Sequence, residues 1–211
     1  MSGTASITTF IVGDRLPWPD DDAGRPLRGQ LEPGAIYDAS TRQECFIRKI
    51  SALGATVQAP IRKAPGEAVS VELGNGQRPA GKIAWVRGGE AGVAFNQPVD
   101  LLALINRSLI AQPAERRRMP RVELRCAMHI RWGGHFDLAV LRNISASGMQ
   151  IEGDNLPDRG TMVSAFLEGL VVPAGEVVWR RDNLAGIELF EELSWTSLVP
   201  WIREYMRKGV N

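Results

Sequence analysis

Sliding the chain against itself by 94 positions brings two separate blocks into register. IRKISALGATVQ (47–58) lies over LRNISASGMQIE (141–152), matching Arg48 with Arg142, Ile50 with Ile144, Ser51 with Ser145, Ala52 with Ala146 and Gly54 with Gly148. At the same offset GKIAWVRGGEAGVAF (81–95) lies over GEVVWRRDNLAGIEL (175–189), pairing Gly81 with Gly175, Trp85 with Trp179, Arg87 with Arg181 and Gly92 with Gly186. Neither block needs a gap, which predicts two copies of a domain of roughly 95 residues. The boundary is expected near Gln112 and Pro113, dividing the chain into 1–112 and 113–211.

Within each copy the apolar residues recur with the period of a strand. Val122, Leu124, Cys126, Met128, Ile130 and Trp132 alternate with Glu123, Arg125, Ala127, His129, Arg131 and Gly133, the pattern of a half-buried antiparallel strand. Further short strands read at 136–142, 148–152, 161–167, 174–180 and 185–190, punctuated by Gly, Pro, Asn and Asp. Strands of this length and spacing predict a small closed barrel, which leaves no exposed sheet edge. Each copy ends in a helical pattern, with Leu101, Leu102, Leu104 and Ile105 in the first and Leu198, Trp201, Ile202, Tyr205 and Met206 in the second. These stripes are expected to pack on their own barrel or on the neighbouring domain. Trp85 and Trp179 recur in both copies and are expected in the barrel core, with Cys126 and Met128 beside them by alternation.

Composition narrows the function. The net charge of +1 over 211 residues excludes bulk electrostatic coating of a polyanion, so any anion site has to be local. No apolar run approaches the length of a membrane span and no secretory leader is visible, so no membrane insertion and a cytoplasmic location are expected. Cys45, Cys126, His129 and His135 do not make a zinc ligand set; two free thiols and no metal are expected. His129 falls on the polar face of its strand, where it is expected to be solvated, and His135 sits in the GGH turn. Asp20, Asp21 and Asp22 lack the glycine and later glutamate of a calcium loop. With no GxxxxGK[ST], HExxH, nucleophile elbow or His-carboxylate-nucleophile set, the chain is not expected to be an enzyme.

Local charge does exist. ERRRMPR (115–121) places Arg116, Arg117, Arg118 and Arg121 between the first copy's helix and the second copy's first strand, in what reads as the linker. The stretch 94 positions earlier is DDAGRPL (21–27), with Ala23 and Leu27 where Arg117 and Arg121 stand. Divergence at this position predicts that one copy keeps a site while the other serves as scaffold.

RRMPR (117–121) followed by NISASG (143–148) resembles the paired signature of the PilZ domain family, Arg-x-x-x-Arg and then Asp or Asn-x-Ser-x-x-Gly after roughly twenty to thirty residues. The later Gly175, Trp179 and Gly186 are similar to that family's following strands, so the resemblance covers most of 113–211. The first copy, about 30–110, resembles a degenerate PilZ domain: it keeps Ser51 and Gly54, carries Lys49 in place of Asn143, and lacks both signature arginines. The resemblance implies a mainly β chain of two tandem six-stranded antiparallel barrels, each followed by a C-terminal helix, of which the second binds the bacterial second messenger cyclic di-GMP. Its implied ligand residues are Arg117, Arg121, Asn143, Ser145 and Gly148, with Arg116 and Arg118 as auxiliary contacts and no other cofactor.

The residue chemistry fits that ligand. Arginine pairs bidentately with phosphate or with guanine O6 and N7, and its plane stacks on a base. An asparagine oxygen accepts from guanine N1–H or N2–H, a serine hydroxyl donates or accepts, and glycine lets backbone come close. The expected output is a changed domain arrangement signalled to a downstream protein partner whose identity the sequence leaves open. Two alternatives stay open beside it. One is single-stranded nucleic-acid binding through the arginines, against which the near-neutral total charge counts; the other is a protein interaction module whose pocket is blocked.

Overall fold

The computed structural model describes residues 8–13, 15–17, 31–39, 41–111 and 121–209, and it divides the chain into two compact units, Met1–Pro120 and Arg121–Asn211. It is mainly β, with closed six-stranded antiparallel pairing and two helices. Arg116, Arg117, Arg118 and Asp20–Asp22 lie outside the described residues.

The first unit contains β1 (Thr9–Ile11), β2 (Glu32–Tyr37), β3 (Arg42–Ser51), β4 (Gly54–Gln58), β5 (Ala68–Glu72), β6 (Ala80–Arg87), β7 (Glu90–Phe95) and helix α1 (Leu101–Ala111). Antiparallel pairings run from β3 to β2, β5, β6, β7 and β4 and return to β3. Strand β1 is an addition to this circuit and pairs in parallel with the end of β3. Inside lie Ala35, Cys45, Ile47, Ile50, Val57, Val71, Ile83 and Val93. Burial pushes the Cys45 thiol up to about 12. Asp100 caps α1 by accepting from the Ala103 amide at 3.0 Å. Leu101, Leu104 and Ile105 of the expected stripe are buried and Leu102 is half-buried.

The second unit contains β8 (Arg121–Trp132), β9 (His135–Ile144), β10 (Gly148–Glu152), β11 (Met162–Leu167), β12 (Leu170–Val171), β13 (Gly175–Arg181), β14 (Leu184–Leu189) and helix α2 (Trp195–Lys208). Its pairings run β8, β9, β10, β14, β13, β11 and back to β8, with β12 hairpinned onto β11. Helix α2 begins at Ser194, whose side chain accepts from the Thr196 amide. Its stripe packs on the second unit itself: Leu198, Val199, Trp201 and Ile202 are buried, Trp201 Nε1 donates to the Glu168 carbonyl at 2.8 Å, and the Tyr205 hydroxyl donates to the Arg125 carbonyl at 2.5 Å.

The offset of 94 seen in the sequence recurs in hydrogen bonds outside the regular ladders. Gly66 N–H to Ile83 O, Ile83 N–H to Glu67 O and Asn96 N–H to Ala80 O correspond to Gly160 N–H to Val177 O, Val177 N–H to Thr161 O and Phe190 N–H to Ala174 O.

Two expectations need correction. Trp179 is 41% exposed and Trp85 is half-buried, so neither is a core residue. Register shifts at Ile83/Trp85 and Val177/Trp179 turn the indoles outward, opposite Gly92 and Gly186. Each ring then lies on a glycine: a Cβ at Gly92 would stand 2.1 Å from Trp85 Nε1, and one at Gly186 would stand 2.0 Å from Trp179 Nε1. Cys126 is half-buried rather than core, because an irregularity between Glu123 and Cys126 interrupts the alternation of β8. Burial and the nearby Glu168 carboxylate push its thiol pKa up. Met128 is buried as expected, and His129 is exposed but stacks on Phe136 with ring centroids 5.0 Å apart.

The recurrent glycines therefore follow from the tryptophans. Gly92→Ala and Gly186→Ala are each expected to lower stability by about 1–3 kcal/mol in urea unfolding, because the methyl has to displace the indole that lies on the glycine. Unchanged midpoints would show that the indoles yield freely.

Candidate ligand-binding site

The Ser-x-x-Gly stretch is a hairpin turn. Ser145 N–H donates to the Gly148 carbonyl at 2.9 Å and Ser145 Oγ donates to the same oxygen at 3.1 Å. Leu193 N–H and Leu189 N–H donate to the Ala146 and Ser147 carbonyls at 2.8 and 2.9 Å, tying the turn to the chain that follows β14 and to the end of that strand. A Cβ at Gly148 would lie 2.5 Å from the Ile187 carbonyl oxygen, so only glycine lets β10 and β14 approach this closely.

The first unit repeats this device. Ser51 Oγ donates to the Gly54 carbonyl, Val99 N–H and Phe95 N–H donate to the Ala52 and Leu53 carbonyls, and a Cβ at Gly54 would lie 2.4 Å from the Val93 carbonyl oxygen. Serine and glycine thus serve the fold in both units. What differs is Asn143 against Lys49, and the strand that lies beside them.

In the second unit that strand is the start of β8. Val122 pairs with Ile144 and Glu123 with Asn143, so Arg121, one step further, stands level with Ser145. Arg121 is exposed and is already part of the strand rather than of the linker to which the sequence pattern assigned it. In the first unit the end of β3 is met by β1 instead, with Thr9 against Lys49, Phe10 against Ile50 and Ile11 against Ser51. Ile11, 2% exposed, holds the ladder place that Arg121 holds in the second unit. The stretch expected to match the arginines, 21–27, lies outside the described residues.

Register continues the row across the outer face of the second unit. Met149 and Ile151 point inward, so Gln150 between them faces out, opposite Asn143 on one side and Gly186 on the other. The Trp179 indole covers Gly186. Glu123, Asn143, Gln150 and Trp179 therefore line one lane that starts beside Arg121. Asn143, 8% exposed, donates one Nδ2 hydrogen to Gln150 Oε1 at 2.6 Å, with Oδ1 as its acceptor end.

One step along lies a charge cluster in which Arg142, Arg125 at 3.1 Å and Asn183 at 3.1 Å all donate to the Glu152 carboxylate. The Arg142 hydrogen bond, foremost, holds the Glu152 carboxyl below the ordinary carboxylate range. Its first-unit counterpart Arg48 pairs instead with Glu90, inside the fold.

Gln150, Glu123 and Trp179 carry no motif, and register alone brings them to the lane. Their sequence signals were the outward phase of Gln150, two residues past Gly148, and the recurrence of Trp179 over a recurrent glycine. Among the described residues no group of three His, Cys, Asp or Glu could hold a metal ion, and no helix is long and apolar enough to cross a membrane.

No family model matches the chain, and no curated protein matches it. Among solved structures it is similar to the Borreliella burgdorferi PlzA protein in complex with c-di-GMP, at 10% identity over 83% of this chain and 87% of that one, with a TM-score of 0.33. It is also similar to the K. pneumonia MrkH–c-di-GMP complex (12% identity, 85% and 87% covered, TM-score 0.26) and to the Bacillus subtilis inhibitor of motility MotI/DgrA (13%, 86% and 100%, 0.29). At such TM-scores these likenesses bear no weight, and the site rests on the chain's own residues.

Because Glu152 is held below its ordinary value, its contribution to stability is present above the unfolded carboxylate pKa and is lost as pH falls through the folded one. Glu152→Gln should therefore be less stable than the parent at pH 6 and equal to it at about pH 2–3 in urea unfolding. A difference independent of pH would mean that packing, not charge, sets the role of Glu152.

Proposed function

We propose that the chain is a receptor for cyclic di-GMP, built from two tandem barrel domains, 1–112 and 113–211, of which only the second takes the ligand. The contrast between the two ladder places carries this reading: beside Asn143–Ser145 the strand opens with the exposed Arg121, and beside Lys49–Ser51 it presents the buried Ile11. Two barrels share one turn, and one of them offers cationic and amide groups along an open outer lane.

Cyclic di-GMP presents two phosphates and two guanines. Arg121, with Arg117 from the same signature, supplies bidentate pairing to phosphate or to guanine O6 and N7, and Arg116 and Arg118 add charge. Asn143 Oδ1 accepts from a guanine N1–H or N2–H, while one Nδ2 hydrogen stays with Gln150. Gly148 holds the turn close against β14 where the ligand sits, and Ser145 offers its lone pairs there while its hydroxyl proton stays with the Gly148 carbonyl. Trp179 supplies a ring face at the far end of the lane, where base stacking contributes about 1–3 kcal/mol per base.

Ligand bound at the start of β8 neutralises a segment whose like charges repel and fixes where the second domain begins. The resulting preference for one domain arrangement is worth the difference in affinity between arrangements, about 1–3 kcal/mol for a working switch. The downstream partner is a protein that distinguishes the two arrangements; no catalysis and no further cofactor enter.

Calorimetric titration of the full chain with cyclic di-GMP, beside GTP and cyclic di-AMP, tests the proposal. Saturable binding selective for cyclic di-GMP is expected, weakened by roughly ten- to a hundredfold in Arg121→Ala, the loss of a charge-assisted hydrogen bond. Absence of binding would make the chain an interaction module. Steeply salt-dependent binding of single-stranded RNA, with no preference for the dinucleotide, would make it a nucleic-acid binder.

A further inference from the structure

The first unit carries, on the face that matches the second unit's lane, a segment of its own chain. Three observations place residues 8–13 and 15–17 there. Strand β1 takes the ladder place beside Lys49–Ser51, through Thr9, Phe10 and Ile11. Leu16 presses on the turn, its Cδ2 lying 2.9 Å from where a Cβ of Gly54 would be. Pro17 reaches the far end, its carbonyl accepting from Trp85 Nε1 at 3.2 Å. Lys49, Gly54 and Trp85 are the counterparts of Asn143, Gly148 and Trp179, so the segment runs the length of the equivalent lane.

The segment is not part of the barrel. The antiparallel circuit of β3, β2, β5, β6, β7 and β4 closes without β1, as the circuit of the second unit closes with six strands of its own. Strand β1 is also parallel to its neighbour, whereas β8 reaches the corresponding place antiparallel, as the continuation of a barrel strand past its irregularity. Its anchoring is that of a bound extended peptide. Thr8 Oγ1 donates to the Ile47 carbonyl at 2.7 Å and accepts from the Glu32 amide at 2.8 Å, while Phe10, Ile11 and Val12 are buried. Main-chain pairing gives such a peptide its hold, and side-chain burial gives it specificity.

We propose that the first unit is a peptide-binding domain whose lane accepts an extended apolar peptide by parallel strand addition, and that the chain's own N-terminal segment is its resident occupant. The ligand class is an extended stretch with a hydroxyl residue at its start, a Phe-Ile-Val core and a proline carbonyl at its end. Tethering makes occupancy intramolecular and keeps the lane filled without tight intrinsic affinity. Self-occupation also accounts for the loss of the arginines: a lane filled by peptide has no anion to bind. This inference goes beyond the dinucleotide reading and stands or falls without it, since it concerns a different unit and a different ligand.

The test uses the full chain with a specific protease site introduced between residues 18 and 30. After cleavage, the N-terminal peptide is expected to stay with the remainder in one-to-one stoichiometry by native mass spectrometry. A labelled synthetic peptide of residues 1–17 should replace it, and a Phe10→Asp version should do so at least about a hundredfold less well. Two results would overturn the proposal: departure of the cleaved peptide at once from a remainder that stays folded by circular dichroism, or displacement by wild-type and Phe10→Asp peptides alike. Unfolding of the remainder when the peptide leaves would also overturn it, by making β1 an integral strand. Cyclic di-GMP titration of the same cleaved sample reports separately on the second unit.

Discussion

The backbone of a strand that outruns its neighbour has to find another hydrogen-bonding partner. Strand β2 covers β3 only as far as Ile47, which leaves Lys49–Ser51 without a ladder on that side. The same need arises at Asn143–Ser145 of β9. Buried polar backbone left unpaired costs about as much as a lost hydrogen bond, so each unit fills the place, and what fills it decides the chemistry of the outer face. The second unit bends β8 through an irregularity between Glu123 and Cys126 and brings Arg121 to the turn. The first unit recruits a three-residue strand from far upstream and brings Ile11. A similar turn is thereby set level with an arginine in one unit and with an apolar residue in the other.

Around that difference the two units are strongly alike. The Ser-x-x-Gly turn, the hydrogen bonds to the carbonyls that follow it and the indole over a glycine recur at the same spacing, each serving the strand pairing of its own unit. The arginine at 48 and 142 also recurs but is used in two ways. Arg48 joins Glu90 inside the fold, where the other carboxylate oxygen of Glu90 has no hydrogen-bond partner among the described residues. Arg142 meets Glu152 at the edge of the open lane. The first unit has invested this position in a buried ion pair, which is costly to break once formed; the second keeps it half-exposed beside the proposed ligand residues.

Much of this was legible in the sequence. An ungapped repeat fixes which residues share a role, and a period of two made Met128 readable as core, although the irregularity in β8 takes Cys126 out of that pattern. What the repeat does not state is the side on which a shared residue lies. Trp85 and Trp179 recur as core residues do, yet a one-residue register shift before each turns them outward, and no period within a single strand reveals a shift defined by its neighbour. Strand β1 was illegible for a different reason: Thr-Phe-Ile is too short to carry a period, and its pairing with β3 is non-local. The motif named Arg121, Asn143, Ser145 and Gly148, whereas Gln150 and Trp179 come to the lane only through the registers of β10 and β13.

In the proposed arrangement the outer lane of the second unit is open to a cyclic dinucleotide while the matching lane of the first is closed by peptide. Indole and backbone amide resonances of the full chain, followed by two-dimensional proton–nitrogen NMR during a cyclic di-GMP titration, test it directly. The Trp179 indole and the amides of Asn143 to Gln150 are expected to shift together and saturate, while the Trp85 indole and the amides of Lys49 to Gly54 stay in place. Shifts that saturate at Trp85 and its turn, or equally at both tryptophans, would contradict it.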